Sequence, residues 1–243
     1  MTVVTWGGSS VAIEGPKNLV AAVAQQLPPF YETGTDAPVT ATLSQDGDLA
    51  TLHLDEDGLS LTMPAGPELY RAAASRIELV LVDRLPALTA VHAGVVADAH
   101  GVIVLPGRSM AGKSTLTRAL LDHGCTYWSD EFALIDAEGD VHAYPRAMTI
   151  RTPGGSERHV PHDHANTSDS SRARLVALLR YENAWQTRDL TPGEATMGLI
   201  DNCVSIRRDP AKALQALTKL AERAHAIEGT RGEAAEAATR LTW

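Results

Sequence analysis

The chain has 243 residues, 44% of them apolar and 21% charged, a globular balance that can bury a sizeable core. Its formal net charge is −9 with no basic block, which excludes the clustered Lys and Arg that a phosphate backbone demands, so no nucleic-acid partner is expected. Cys125 and Cys203 are far apart and lie in no CxxC pair, as in a reducing compartment. Met1–Gly8 has no basic, signal-like start, and no apolar run reaches the roughly 18 residues of a membrane span. A cytoplasmic protein with no membrane partner is expected.

Residues 1–85 read as a small α+β unit. Pro16 opens a helical pattern with Leu19, Val20, Val23 and Leu27 on one side, and Pro28-Pro29 ends it. Alternating segments at Thr40 to Leu43, Leu49 to Leu54 and Leu59 to Met63 are separated by Asp46-Gly47 and Asp57-Gly58, both turn signals. Pro67 starts a second helix whose apolar stripe is Leu69, Ala73, Ile77, Val80 and Leu81.

Residues 86–243 form the second expected domain. Val91 to Val96 and Val102 to Leu105 read as strands, and Leu116, Ala119 and Leu120 mark a helix stopped by Gly124. Cys125 to Trp128 and Phe132 to Ile135 read as further strands, followed by a short one ending near Tyr144-Pro145. Residues 153–172 are polar and read as a long loop, a candidate lid over a bound acceptor. Leu175 to Tyr181 is a core strand, Thr191-Pro192-Gly193-Glu194 a capping box that opens a helix, and Asp209-Pro210 the start of another. In that last helix Leu214, Leu217, Leu220 and Ala221 are expected to face inward, and a weaker helical stretch covers Gly232 to Leu241.

Between the second strand of this domain and its first helix stands Gly107-Arg108-Ser109-Met110-Ala111-Gly112-Lys113-Ser114, a complete GxxxxGK[ST] pattern continued by Thr115. The glycines let the backbone curl so that N–H groups converge on phosphate oxygens. Lys113 then faces the β- and γ-phosphates, Ser114 offers a hydroxyl to Mg²⁺, and the helix dipole adds to the same spot. Such a loop binds nucleotide and does not choose a reaction; a carboxylate must also hold metal and orient the nucleophile. Asp130-Glu131, at the end of the next strand, offers two carboxylates that point in different directions. His92 lies on the preceding strand, where a lone His is more often a core residue than a functional one.

Val91-His92-Ala93-Gly94-Val95-Val96-Ala97-Asp98, then Gly101 through the phosphate loop, then Tyr127-Trp128-Ser129-Asp130-Glu131, resembles the catalytic domain of HPr kinase/phosphorylase. The closer likeness is to the shorter HPr-kinase-like proteins, including lasso-peptide kinases, and it is strongest over residues 88–151. The resemblance implies an α/β P-loop kinase of the HPr kinase/PEP carboxykinase type: a mixed sheet with flanking helices, here preceded by a small α+β unit. It implies Asp130 as the catalytic carboxylate, His92 beside it, and Glu131 with Asp130 and Ser114 as metal ligands. Arg146 and Arg151 would neutralise charge on the transferring phosphoryl group.

The function this implies is Mg²⁺-dependent transfer of the γ-phosphoryl group of ATP to a hydroxyl, on a Ser or Thr of a peptide or protein. The residues do not separate ATP from GTP. The family's downstream glycine-rich signature is missing and the N-terminal unit differs, so HPr itself is not the expected acceptor. HPr kinases assemble into hexamers, which makes a homo-oligomer an expectation. Three rival readings share the phosphate loop: a small-molecule kinase, an ATP hydrolase, and a nucleotide-binding module that regulates a partner without chemistry.

Overall fold

The computed structural model describes residues 1–107, 112–152, 155–159 and 161–242, with backbone alone for 149–152 and 155–159. It separates into two compact units, Met1–Pro86 and Ala87–Trp243. Each is a mixed α/β layer structure. Among the described residues no helix is long and apolar enough to cross a membrane.

In the first unit, β1 (Thr2–Trp6) and β2 (Ser9–Glu14) form an antiparallel hairpin. Its turn is Gly7-Gly8, where φ values of 58° and 84° suit glycine. There follow α1 (Lys17–Ala24), β3 (Glu32–Thr33), β4 (Thr40–Asp46), β5 (Leu49–Leu54), β6 (Ser60–Pro64) and α2 (Pro67–Asp83). The sheet order is β3-β1-β2-β4-β5-β6, mixed because β2 and β4 run parallel. Leu19 and Val23 of α1 and Leu69, Ala73, Ile77 and Leu81 of α2 pack with Val11, Ile13, Leu43 and Leu52. The opening hairpin is an addition to the elements expected from sequence; Thr2–Glu14 carries a Gly-Gly turn but no Asn-Gly or Asp-Gly of the kind that marks β4 to β6.

The second unit begins with β7 (Thr89–Asp98) and β8 (Gly101–Pro106), then α3 (Lys113–Asp122). Next come β9 (Thr126–Ser129), β10 (Phe132–Ile135), β11 (Asp140–His142), β12 (Met148–Thr152), β13 (Gly155–His159), β14 (Ser170–Tyr181) and β15 (Gln186–Asp189). The chain closes with α4 (Pro192–Ile200), α5 (Pro210–Arg223), β16 (His225–Arg231) and α6 (Ala234–Leu241). The main sheet runs β11-β10-β7-β8-β14-β16-β15, and β9 also pairs with β7. Strand β14 is parallel to both β8 and β16, so three strands deliver their carboxyl ends to one edge of the sheet. Open α/β sheets bind ligands at such an edge.

One face of this sheet is covered by α3 and α6 through Leu116, Leu120, Ala237 and Leu241, packed on Ile103, Leu105, Leu175 and Ala177. The other takes α4 and α5 through Ala195, Leu199, Leu217 and Leu220, packed on Val104 and Val176. Two sequence expectations need correction. Leu214 does not face inward but is 49% exposed, because the buried stripe of α5 runs through Ala213, Ala216, Leu217 and Leu220 and leaves Leu214 outside it. Residues 153–172 are not one long loop: Gly155–His159 pairs as β13 with β12, and Tyr127 bonds the backbone of Asp163 and Ala165. Ser156-Glu157-Arg158-His159 has no apolar residue, so no alternation marks it as a strand. Strands β15 and β16 likewise add to the expected elements.

Candidate phosphate-binding site

Strand β8 ends at Pro106, and Gly107 follows at the carboxyl edge of the sheet. At the far side of the phosphate loop Gly112 caps α3 in the left-handed region, φ 77°. Arg108, Ser109, Met110 and Ala111 lie outside the described residues, as does the side chain of Arg151. The two ends of the loop are tied together: Lys113 Nζ donates to the Gly107 carbonyl at 2.7 Å. Burial lowers the Lys113 pKa, against the attraction of Glu131 and then Asp130. Thr115 stands exposed on the first turn of α3.

Helix α3 can approach β7 closely because position 94 is glycine. A Cβ there would stand 2.5 Å from Thr117 Oγ1 on α3. The Gly of His92-Ala93-Gly94 thus has a packing reason of its own, besides any resemblance.

Strands β9 and β10 both lie alongside β7, pairing Ser129 with Val95 and Phe132 with His92. The two residues between them, Asp130 and Glu131, are carried past β7 without leaving it, since Ala93 N donates to Glu131 O at 3.1 Å. Ser129 Oγ shapes the step by accepting the N–H groups of Glu131 and Phe132 at 3.3 and 3.1 Å. The acids then diverge across this bend.

Asp130 turns inward and is 8% exposed. Ser114 Oγ donates to its Oδ2 at 2.9 Å. Its Oδ1 is buried and accepts no hydrogen bond among the described residues. Burial is the main reason its pKa rises to about 6, and the Glu131 charge adds to it. The Ser114 bond, Arg146 and Lys113 pull the other way without prevailing.

Glu131 turns toward His92 and Arg146, with 3.5 Å from its Oε1 to His92 Nδ1 and 3.8 Å from its Oε2 to Arg146 NH1. The acid that meets His92 is therefore Glu131; the two form one cluster with Arg146. The His92 backbone is held by N–H donation to Asn202 O at 2.8 Å, and its ring lies 5.1 Å from that of Phe132. Burial lowers the His92 pKa, Glu131 opposes, and Lys113 pushes it further down. Tyr127 steadies the Arg146 segment by donating its hydroxyl to Arg146 O at 2.7 Å.

Arg231 belongs to the site and was not anticipated. It ends β16, is 3% exposed, and donates from NH2 to the Gly112 carbonyl at 3.1 Å. Its only sequence signal is a lone Arg just before a glycine, Thr230-Arg231-Gly232. A cavity of about 690 Å³ lies along β15 and β16 at Trp185, Arg188 and Glu228, and contains none of these site residues.

Chemically the site sets a lysine, a hydroxyl and a buried carboxylate at a helix N-terminus, with a His–Glu–Arg cluster beside them. The donors suit Mg²⁺ held chiefly through phosphates, which takes oxygen ligands and needs only one or two from protein. Among the described residues no group of three or more His, Cys, Asp or Glu forms a self-sufficient metal cage. No family model matches the chain, and no curated protein matches it.

Proposed function

We propose that the chain is a P-loop phosphotransferase that moves the γ-phosphoryl group of ATP to a hydroxyl acceptor, in the manner of the HPr-kinase-like enzymes its motifs resemble. The observation that carries this reading is the Ser114–Asp130 hydrogen bond, with Asp130 Oδ1 buried beside it and without a hydrogen-bond partner among the described residues. A purely structural carboxylate would have its second oxygen satisfied. One that lies beside the serine of a phosphate-loop pattern suits a ligand that would arrive with nucleotide.

Lys113 would leave the Gly107 carbonyl for the β- and γ-phosphates, exchanging a hydrogen bond to a dipole for one to a full charge. Ser114 and Asp130 are the residues that would hold Mg²⁺, and the ion when bound neutralises charge on the β- and γ-oxygens. The acceptor oxygen forms its bond to the γ-phosphorus as the bond to the β–γ bridging oxygen breaks. The electron pair leaves with ADP, and the hydroxyl proton passes to the Asp130 carboxylate. Arg146 and His92, gathered by Glu131, line the approach of the acceptor.

The acceptor proposed is a Ser or Thr of a peptide or protein, on the strength of the resemblance. Titration calorimetry with MgATP tests the nucleotide half of the reading. Wild type should bind, and Lys113→Met should weaken binding by at least about tenfold through loss of a charge-assisted contact. A wild-type protein that binds no nucleotide would end the proposal.

A further inference from the structure

Because β8, β14 and β16 are parallel, the residues at their carboxyl ends meet at one edge: Gly107 after β8, Tyr181 on β14 and Arg231 on β16. Tyr181 and Arg231 are register partners. Alternation along both strands places them on the face that α3 covers. Leu175, Ala177 and Leu179 precede Tyr181 there, and Ile227 precedes Arg231. The guanidinium of Arg231 lies 5.4 Å from the centre of the Tyr181 ring while its NH2 holds the Gly112 carbonyl. A single guanidinium therefore spans the distance from this ring to the rim of the phosphate loop.

Among the described residues Tyr181 is one of few large apolar side chains that are exposed, at 56%. It is nonetheless fixed in place. Its hydroxyl donates to Glu233 Oε1 at 2.9 Å, and Arg231 backs one side of the ring. The strand beyond it is tied down as well, since Glu182 N donates to Arg231 O at 2.9 Å and Thr230 Oγ1 to Ala184 O at 2.9 Å. An open aromatic face held rigid at both ends has already lost the freedom that ligand stacking would otherwise cost.

We propose that the open face of Tyr181 is the platform on which the purine base of the nucleotide stacks. This rests on the phosphate-site reading above and adds the part of the ligand that the loop motif does not address. Every base offers a π-face, and a ring backed by a guanidinium is a strong stacking partner. With its phosphates at Lys113 and its base on Tyr181, the nucleotide would lie across the carboxyl edge of the parallel strands, with Arg231 beneath it.

The test measures binding of MgATP, MgGTP and Mg-tripolyphosphate, which has phosphates and no base, to wild type, Tyr181→Ala and Tyr181→Phe. Both substitutions fall on an exposed side chain, so folding should survive. Wild type should bind MgATP more tightly than tripolyphosphate. Tyr181→Ala should lose about tenfold or more in affinity for ATP, within the range base–aromatic stacking supplies. It should bind tripolyphosphate as wild type does, and Tyr181→Phe should stay close to wild type for all three. Unchanged ATP affinity in Tyr181→Ala overturns the base platform alone. An equal loss for ATP and tripolyphosphate overturns it too, and leaves Tyr181 as a prop for Arg231. Failure of wild type to bind either phosphate ligand would instead sink the phosphate-site reading beneath it.

Discussion

Arg231 and Gly112 are fitted to one another: the guanidinium donates to the Gly112 carbonyl at 3.1 Å, and a Cβ at position 112 would stand 2.6 Å from the same NH2. A trans peptide sets its N–H opposite its C=O, so holding the Gly112 carbonyl toward Arg231 turns the Lys113 N–H away from it. On the proposed reading this is the peptide at which α3 would present its positive end to phosphate. Gly112→Ala adds the clash to a left-handed φ of 77°, which alone costs about 1–2 kcal/mol. We expect MgATP affinity to fall by about tenfold or more, with little change in far-UV circular dichroism. Wild-type affinity in this variant would remove the coupling.

Asp130 gives a pH signature that does not depend on knowing the acceptor. Its folded pKa of about 6 lies above its ordinary value of 3.8, so the native state binds the proton more tightly than the unfolded chain does. The stabilisation from this linkage is fully present below pH 4 and is lost as pH rises through 6. At neutral pH the ionised, buried group costs on the order of 2–3 kcal/mol. The melting temperature of wild type minus that of Asp130→Asn should therefore fall by several degrees between pH 4 and pH 7.5. A difference that is flat across this window would mean that Asp130 titrates normally.

The His92–Glu131–Lys113 cluster can be read by NMR titration of the imidazole. Glu131 raises the His92 pKa and Lys113 lowers it. Glu131→Gln should shift the His92 midpoint down and Lys113→Met should shift it up, from a wild-type midpoint already below 6.5. Shifts of the same sign in both variants would show that the three groups are not disposed as described.

Thr191 offers a control remote from the chemistry. Its Oγ1 accepts the Glu194 N–H at 3.3 Å, and Glu194 Oε2 accepts the Thr191 N–H at 2.9 Å, a reciprocal capping box on α4. Thr191→Ala should lower the melting temperature by about 2–4 °C. Nucleotide affinity should not move. A fall in affinity as large as that of Gly112→Ala would show that α4 communicates with the site.

The legible parts of this chain were those written in local chemistry. Pro67 and the 3.6-residue stripe placed α2, Asp46-Gly47 placed the β4–β5 turn, and Thr191 to Glu194 placed the cap of α4. The phosphate-loop pattern likewise announced a helix from Thr115, and α3 begins two residues earlier, at Lys113. What stayed hidden depends on pairing between distant segments. Strand β16 carries Glu228, Gly229, Thr230 and Arg231 among few apolar residues, and only its parallel match to β14 makes it a strand. Arg231 reaches Gly112 across 119 positions of sequence, a separation no periodicity reports. The acid pair was visible as residues, but its division of labour was not. Only the strand path beside β7 sends Asp130 to Ser114 and Glu131 to His92.

Phosphoryl transfer is tested by following the γ-phosphate of labelled ATP with Mg²⁺ into serine-bearing peptides and small hydroxylated compounds, with wild type and Asp130→Asn side by side. Label should appear on one acceptor class. Transfer should fall by about a hundredfold or more in Asp130→Asn, the scale of a missing general base. Tight nucleotide binding with no transfer to any acceptor, or full transfer by Asp130→Asn, would contradict it.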